Sequence, residues 1–178
     1  MEIQYQIDQI GEPQLNELKH YFRNLSDFTT DVFNLPSWSA LYLSNRPFID
    51  SINYKYFHLF WDTLEESSIT ILPYPTVQGE KFLKLSCLSR FYFFDMLMDK
   101  YHFRYTGGVA YGTRHDWALY VDADLHVLFL GFDIKLSQSV AEIFAGNKRI
   151  LNPSELNELI REHRSFLNGG EIESVSNE

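Results

Sequence analysis

The sequence predicts an α+β fold with a mostly antiparallel sheet flanked by helices. Residues 116–132 contain two apolar runs with the period of strands on either side of a short Asp-rich turn, which predicts a hairpin. Apolar residues at helical spacing predict helices near 13–24, 89–102 and 153–167. We therefore expect a central sheet that includes the hairpin and is packed against these helices.

Length and composition fit one folded domain. The chain has 178 residues, of which 45% are hydrophobic and 22% charged, the usual balance of a globular protein. This balance excludes a largely disordered chain. An aromatic share of 16% supplies a core and leaves some Tyr and Trp for a binding surface. We assign residues 1–170 to a single domain and residues 171–178, with their three glutamates, to a flexible acidic tail.

The first fifty residues predict one extended segment, one helix and a loop-rich region. Residues 2–10 alternate with a period of two, which fits a short strand or an ordered arm. Pro13 opens the first helix. Residues 26–52 combine aromatic residues with breakers such as Pro36 and Pro47, which predicts short helical turns and packed loops.

The next segments alternate between helix and strand signals. Residues 53–64 fit a helix capped by Asn53, and the alternative is a strand through Tyr54, Tyr56, His58 and Phe60. Short β-prone runs at 69–72 and 81–87 predict two strands. Ser89 is a suitable cap for the helix that follows.

A glycine cluster precedes the hairpin. Gly107, Gly108 and Gly112 are not followed by the Lys-Ser or Lys-Thr pair of a phosphate-binding loop, so we expect a mobile loop rather than a phosphate site. Trp117 begins the hairpin's first strand and is expected in the core. Residues Val127–Leu130 are apolar at every position, which predicts a central strand covered on both sides.

The last helix has the strongest local signals. Asn152 is placed to cap it, Pro153 occupies its first position, and Glu155 completes a capping box. One apolar stripe follows at helical spacing, made of Leu156, Leu159, Ile160, His163 and Leu167.

The charge is acidic and unevenly distributed. The net charge is −9, and residues 1–80 alone hold 11 acidic and 4 basic residues, a net of −7. A nucleic-acid-binding protein needs the opposite sign, so we expect no nucleic-acid partner. A basic protein would be attracted by this field. We expect a cytoplasmic protein without a membrane segment, since no signal-peptide pattern or long apolar run is visible.

Three sets of residues have side chains suited to metal or catalytic chemistry. Asp122, Asp124 and His126 have a spacing that could suit a metal, but Asp is also favoured in hairpin turns, so we expect turn chemistry and neither metal nor cofactor. Arg114, His115 and Asp116 could serve a small hydrolase or transferase of unrecognised type. A third possibility is Cys87 as a nucleophile with His58, His102 or His115, although its strand pattern favours burial.

The two strands of the hairpin read Trp117-Ala-Leu-Tyr-Val-Asp122 and Val127-Leu-Phe-Leu-Gly-Phe132. This pair resembles the strand pair of several small bacterial immunity proteins, the antidotes of polymorphic and contact-dependent-inhibition toxins. Phe60-Trp-Asp-Thr-Leu64 and the helix from Ser89 to Tyr101 add to the resemblance, so that it spans about residues 55–133. It implies a cytoplasmic protein that binds and blocks a toxin domain. No binding residue follows from it.

The functional hypothesis is therefore a non-enzymatic protein that binds a basic toxin, with many such toxins being nucleases. The alternatives are the small enzyme named above and a regulatory module that binds a small ligand. Acids in loops or at element ends, together with nearby aromatic residues, form the candidate partner-binding set. These are Asp27, Asp31, Trp38, Tyr42, Asp50, Tyr54, Asp62, Glu65 and Glu66.

Overall fold

The centre of the fold is an antiparallel sheet. The computed structural model describes residues 5–23, 32–45, 49–85 and 90–167. Within these residues the sheet has eight strands in the order β1-β4-β3-β5-β6-β7-β2-β8, and every pairing is antiparallel. The strands are β1 (Tyr5–Gln9), β2 (Trp38–Ser44), β3 (Ile69–Pro73), β4 (Lys81–Leu85), β5 (Gly108–Gly112), β6 (Trp117–Asp122), β7 (Val127–Asp133) and β8 (Ile150–Leu151). The predicted α+β class is confirmed.

Helices cover both faces of the sheet. We call the face under α2, α3 and α5 the front and the face under α1 and α6 the back, because the buried residues of these helices divide into two clusters separated by the sheet. The helices are α1 (Glu12–Tyr21), α2 (Ser51–Thr63), α3 (Phe91–Lys100), the one-turn α4 (Phe103–Thr106), α5 (Ser137–Phe144) and α6 (Pro153–Leu167). Predictions near 13–24, 89–102 and 153–167 are thus confirmed as helices. In the described ranges, no helix has the length and apolar character needed to cross a bilayer.

The 116–132 hairpin lies inside the sheet, as predicted. Its strands pair from Trp117 opposite Phe132 to Asp122 opposite Val127. Along β7, Leu128 and Leu130 belong to the front cluster, whereas Val127 and Phe129 belong to the back cluster. Trp117 is fully buried at the front. The continuous apolar run therefore reflects a strand covered on both sides.

The prediction of short helical turns and loops for residues 26–52 is wrong at residues 38–44, which form a strand. Residues 38–44 form β2, which pairs with β7 from Trp38 opposite Asp133 to Ser44 opposite Val127. Trp38, Ala40 and Tyr42 pack at the back, while Leu41 and Leu43 pack at the front. Because both faces carry apolar residues that pack against a cluster, although only Leu43 is fully buried, the strand lacks the polar alternation by which a half-exposed strand is recognised.

The prediction of a mobile glycine loop is also wrong. Gly108–Gly112 is β5, a strand buried at every residue between β3 and β6. Gly107 has a φ of +70°, and a Cβ there would overlap the carbonyl oxygen of Val121. A Cβ on Gly112 would overlap the Glu66 carboxylate. These glycines allow close approach in a packed strand instead of providing mobility.

The predicted cap of α6 is confirmed, whereas the predicted cap of α2 is wrong. Residues 51–63 are helical, so the strand alternative is wrong, and the capping residue is Asp50 instead of Asn53. The cap of α6 is confirmed: Asn152 Oδ1 accepts from the backbone N–H of Ser154 and Glu155 at 2.9 and 3.0 Å. The Glu155 carboxylate accepts in return from the Asn152 N–H at 2.7 Å. Ser89, Cys87 and the 171–178 tail lie outside the described residues.

Candidate partner-binding surface

The structure does not bring the predicted binding residues together. Trp38 and Tyr42 lie at the back of the sheet, while Tyr54, Asp62, Glu65 and Glu66 belong to the front. Asp50 begins α2 and Asp62 lies near its end, about 18 Å away at 1.5 Å per residue. Asp27 and Asp31 lie outside the described residues.

The three predicted aromatic anchors have packing roles. The Trp38 ring stacks on Tyr21 with 5.6 Å between ring centroids, and the Tyr42 ring meets Phe129 edge-on at 5.6 Å. Both side chains are half-buried. Tyr54 is only 3% exposed and its ring centroid lies 5.0 Å from that of Phe94, so it joins α2 to α3 in the core.

Asp50 is a buried structural acid. Its Oδ1 accepts from the N–H of Ile52 and Asn53 at 2.9 and 3.0 Å, which caps α2. Its Oδ2 pairs with the Arg149 guanidinium. The negative charge of Asp50 therefore stabilises the positive N-terminal end of α2 and pairs with Arg149.

An asparagine network next to this cap went unpredicted. The Asn53 amide donates to the Ser44 carbonyl at 2.9 Å and to Asn45 Oδ1 at 3.1 Å, and the Asn147 amide donates to Asn53 Oδ1 at 3.0 Å. All three asparagines are buried. They connect the start of α2 to the end of β2 and to the chain between α5 and β8. Only the position of Asn53 among apolar helix residues could have suggested a buried amide.

Glu66 also serves the fold. Its Oε1 accepts from the Trp117 indole N–H at 2.8 Å, and its Oε2 accepts from the backbone N–H and the hydroxyl of Thr113, each at 2.9 Å. The carboxylate thus joins the end of α2 to the β5–β6 turn. A single acid that satisfies three donors is poorly placed to contact a partner.

Asp62 and Glu65 remain as exposed acids of the predicted set. On α2 itself, Ile52 is 44% and Leu59 49% exposed. The neighbouring helix α3 exposes Tyr92 at 79%. Since α2 and α3 lie in one layer, their solvent sides face the same direction. We define the α2–α3 surface as Ile52, Leu59, Asp62, Glu65, Tyr92, Asp95, Met96 and Asp99.

Sequence reasoning missed the apolar members of this surface. Tyr92 and Met96 are four residues apart, out of phase with the buried residues Phe94, Leu97 and Met98. Large apolar residues on the solvent side of a helix were the available signal, because residues at i and i+4 share a face. Because α3 is rich in aromatic residues throughout, its exposed pair Tyr92 and Met96 is hard to distinguish from its buried residues in the sequence.

Arg114 and His115, two residues of the enzyme alternative, contact different parts of the fold. Arg114 pairs with Asp116 through Nε and Oδ2 at 3.0 Å and donates to the Leu64 carbonyl at 3.2 Å. His115 Nδ1 shares a hydrogen bond with the Tyr21 hydroxyl and lies 3.4 Å from a Glu17 carboxylate oxygen. The β5–β6 turn therefore contacts α1 at the back and the end of α2 at the front.

The Tyr21 hydroxyl beside His115 is kept protonated. Tyr21 is fully buried, and burial together with the nearby Glu17 carboxylate raises its pKa above the usual 10.0. Burial also raises the pKa of Tyr111 and Tyr120, with Glu17 and Asp122 respectively adding to the effect. A phenol in this setting is a hydrogen-bond donor, since its ionised form is disfavoured.

These tyrosines predict a loss of stability in alkali. In the unfolded chain a tyrosine ionises near pH 10, whereas in the fold these phenols hold their protons to higher pH. Their contribution to stability is therefore complete below about pH 10 and falls as the pH rises further. We expect urea midpoints to fall above that pH, and less so in Tyr111→Phe. Identical alkaline profiles for the two proteins would contradict the assignment to Tyr111.

The Asp-rich turn of the hairpin has the local bonds expected of turn chemistry. Asp122 Oδ1 accepts from the N–H of Asp124 and Leu125 at 3.0 and 2.9 Å, and Oδ2 accepts from the Tyr120 hydroxyl at 3.0 Å. Across the described ranges, no group of three or more His, Cys, Asp or Glu residues is arranged to hold a metal ion.

The chain was compared with known proteins. No protein-family model, no curated protein and no solved structure matches it. The resemblance of the 117–132 hairpin to immunity proteins stays a prediction. The functional proposal is therefore built on the α2–α3 surface and on the charge of the chain.

Proposed function

We propose that the protein is a non-enzymatic, cytoplasmic binding protein that neutralises a basic bacterial toxin domain, and that the α2–α3 surface is its contact region. The observation that carries the proposal is the exposure of Ile52, Leu59, Tyr92 and Met96 on one helical layer, among acidic residues. This surface replaces the scattered set predicted from the sequence.

The apolar part of the surface supports binding to a protein. Ile52 and Leu59 on α2, and Tyr92 and Met96 on α3, are each at least 41% exposed, and large exposed apolar areas are typical of interaction sites. Tyr is enriched among the residues that dominate interface energies, and Met is enriched at interfaces. Tyr92 is 79% exposed, so it has the area to act as an anchor on association.

The acidic part supports a basic partner. Asp62, Glu65, Asp95 and Asp99 of these two helices and their ends outnumber the exposed lysines Lys55 and Lys100, and the whole chain has a net charge of −9. Complementary charge mainly accelerates encounter and excludes partners of the same sign, while the apolar anchors hold the complex.

The direct test uses the product of the gene next to this one, if that product is basic. Co-expression should relieve its growth inhibition, and the two purified proteins should form a complex by size-exclusion chromatography. Tyr92→Ala should raise Kd by roughly thirtyfold or more, the effect of losing an interface anchor of about 2 kcal/mol. Phe166→Ala is the matched control, because Phe166 is 81% exposed on α6 at the other face. Absence of a complex, or equal effects of the two variants, would count against the proposal.

Charge reversal tests the electrostatic part separately. Asp62→Lys with Glu65→Lys should slow association by roughly tenfold at low salt and much less at high salt, because screening removes steering. Glu66 is left intact since it holds the fold. Glu158→Lys with Glu162→Lys on α6 makes the same change of net charge at the back. Equal slowing by both pairs would show that attraction is general and that the α2–α3 surface has no special part in it.

A further inference from the structure

A cavity near one edge of the sheet is lined by residues outside the α2–α3 surface. It has a volume of about 470 Å³, is open to solvent on one side, and lies between the first residues of β4 and the segment 100–106, in which α3 ends and α4 follows. Sites for small organic molecules usually measure about 300–1,000 Å³. The cavity is therefore large enough for one such molecule.

The inner wall of the cavity is apolar. Ile7 of β1, Pro73 of β3 and the Tyr101 ring line it and are partly exposed, so a ligand can reach them. Leu83, the register partner of Ile7, and Phe103 border the cavity too, but at 0% and 2% exposure they are already packed in the front cluster. A ligand group that reaches this wall must be apolar, because a polar group would lose its hydrogen bonds to water there.

The rim of the cavity is basic in an acidic protein. Lys81, Lys100 and His102 line it and are exposed, and Glu80 is the one acid among the described lining residues. Two lysines against one glutamate give the rim a positive charge, while the chain as a whole has a net charge of −9.

Lys100 is held near the rim by an aromatic neighbour. Its Nζ lies 5.2 Å from the centroid of the Tyr101 ring, within the range of a cation–π contact. Hydrogen bonding to the Tyr101 side chain raises the pKa of Lys100 above its ordinary value, which favours the ammonium form further. Tyr101 lines the cavity as well.

We propose that this cavity binds a small amphipathic carboxylate, an organic anion with an apolar aliphatic or aromatic body. The apolar body contacts Ile7, Pro73 and the Tyr101 ring, and the carboxylate lies at the rim near Lys81 and Lys100. An inorganic anion would leave the apolar wall unused, and a neutral hydrocarbon would leave the lysines unpaired. The combination of the two features selects an anion that has both parts.

The probes are octanoate and 3-phenylpropionate, with acetate and octan-1-ol as partial mimics, all measured by calorimetry on the full chain. We expect one molecule of octanoate or 3-phenylpropionate to bind per chain, at least about tenfold more tightly than either mimic, as a charge-assisted contact added to apolar burial predicts. Amide NMR shifts should change at residues 81–83 and 100–106. Failure of both carboxylates to bind, or octan-1-ol binding as tightly as octanoate, would overturn the proposal.

Variants locate the carboxylate. Lys81→Ala with Lys100→Ala should weaken octanoate binding about tenfold and leave octan-1-ol binding unchanged, since only the charged contact is lost. Lys135→Ala with Lys148→Ala removes the same charge from exposed positions outside the cavity. Because all four lysines are exposed, the unfolding midpoints should stay close to that of the wild type. Equal weakening by both pairs would show that net charge, and not this rim, binds the anion.

Discussion

Replacing Trp117 with alanine is expected to lower the free energy of unfolding by about 3–5 kcal/mol, the usual loss when a large buried aromatic residue is truncated. Trp117 is fully buried in the front cluster, and its ring packs at 5.8 Å from Phe60 and 6.0 Å from Trp61. Alanine leaves a cavity between the sheet and α2 that these rings cannot fill without moving.

Urea denaturation of Trp117→Ala and of the exposed control Phe166→Ala measures this difference. The control should stay within about 0.5 kcal/mol of the wild type, as surface substitutions usually do. Trp117→Phe, which keeps an aromatic ring, provides a milder second variant in case the alanine variant does not fold. Wild-type midpoints for both Trp117 variants would show that the side chain is dispensable for packing.

Glu66→Gln is expected to destabilise the fold by about 1–3 kcal/mol, the range for leaving a buried hydrogen-bond donor without its acceptor. The carboxylate accepts from the Trp117 indole and twice from Thr113. Glutamine has one acceptor oxygen, so its amide nitrogen faces at least one of these donors. The largest part of the loss comes from the buried indole N–H when it has no acceptor.

Glu65→Gln is the matched control, since it makes the same change one residue earlier at an exposed position. Its unfolding free energy should equal that of the wild type, whereas the Glu66 variant should also show altered tryptophan fluorescence. Equal stability of the two variants would mean that Glu66 does not hold the β5–β6 turn to α2.

The elements predicted correctly have signals that are local in the sequence. The α6 cap needs only Asn152 and Glu155, three residues apart, and both bonds form as predicted. The 116–132 hairpin needs only its turn and two apolar runs. Such features follow from interactions between near neighbours, which a sequence pattern records directly.

The elements that were missed depend on distant residues. Strand β2 is defined by β7, and its alternating side chains are covered at both faces, so no polar period identifies it. Gly107 and Gly112 allow Val121 and Glu66 to approach, which composition alone cannot distinguish from loop flexibility.

The same limit applies to the candidate site. Asp62, Glu65 and Glu66 are equivalent acids in the sequence, and only Trp117 and Thr113, about fifty positions later, make Glu66 structural. Tyr54 and Tyr92 are both tyrosines in aromatic helices, yet the first is 3% and the second 79% exposed. Tertiary packing decides which side of a helix contacts the sheet. The opposite side is exposed, and only its residues can contact a partner.

The position of β2 between β7 and β8 has a consequence for how the chain is made. Leu43 is synthesised long before Leu128, its partner in the pairing of β2 with β7. Translation proceeds at about 5–20 residues per second, so several seconds pass between the synthesis of β2 and that of β7. During that interval the apolar residues of β2 have no native strand to cover them. Nascent chains of this protein should therefore require protection from aggregation until β7 has emerged.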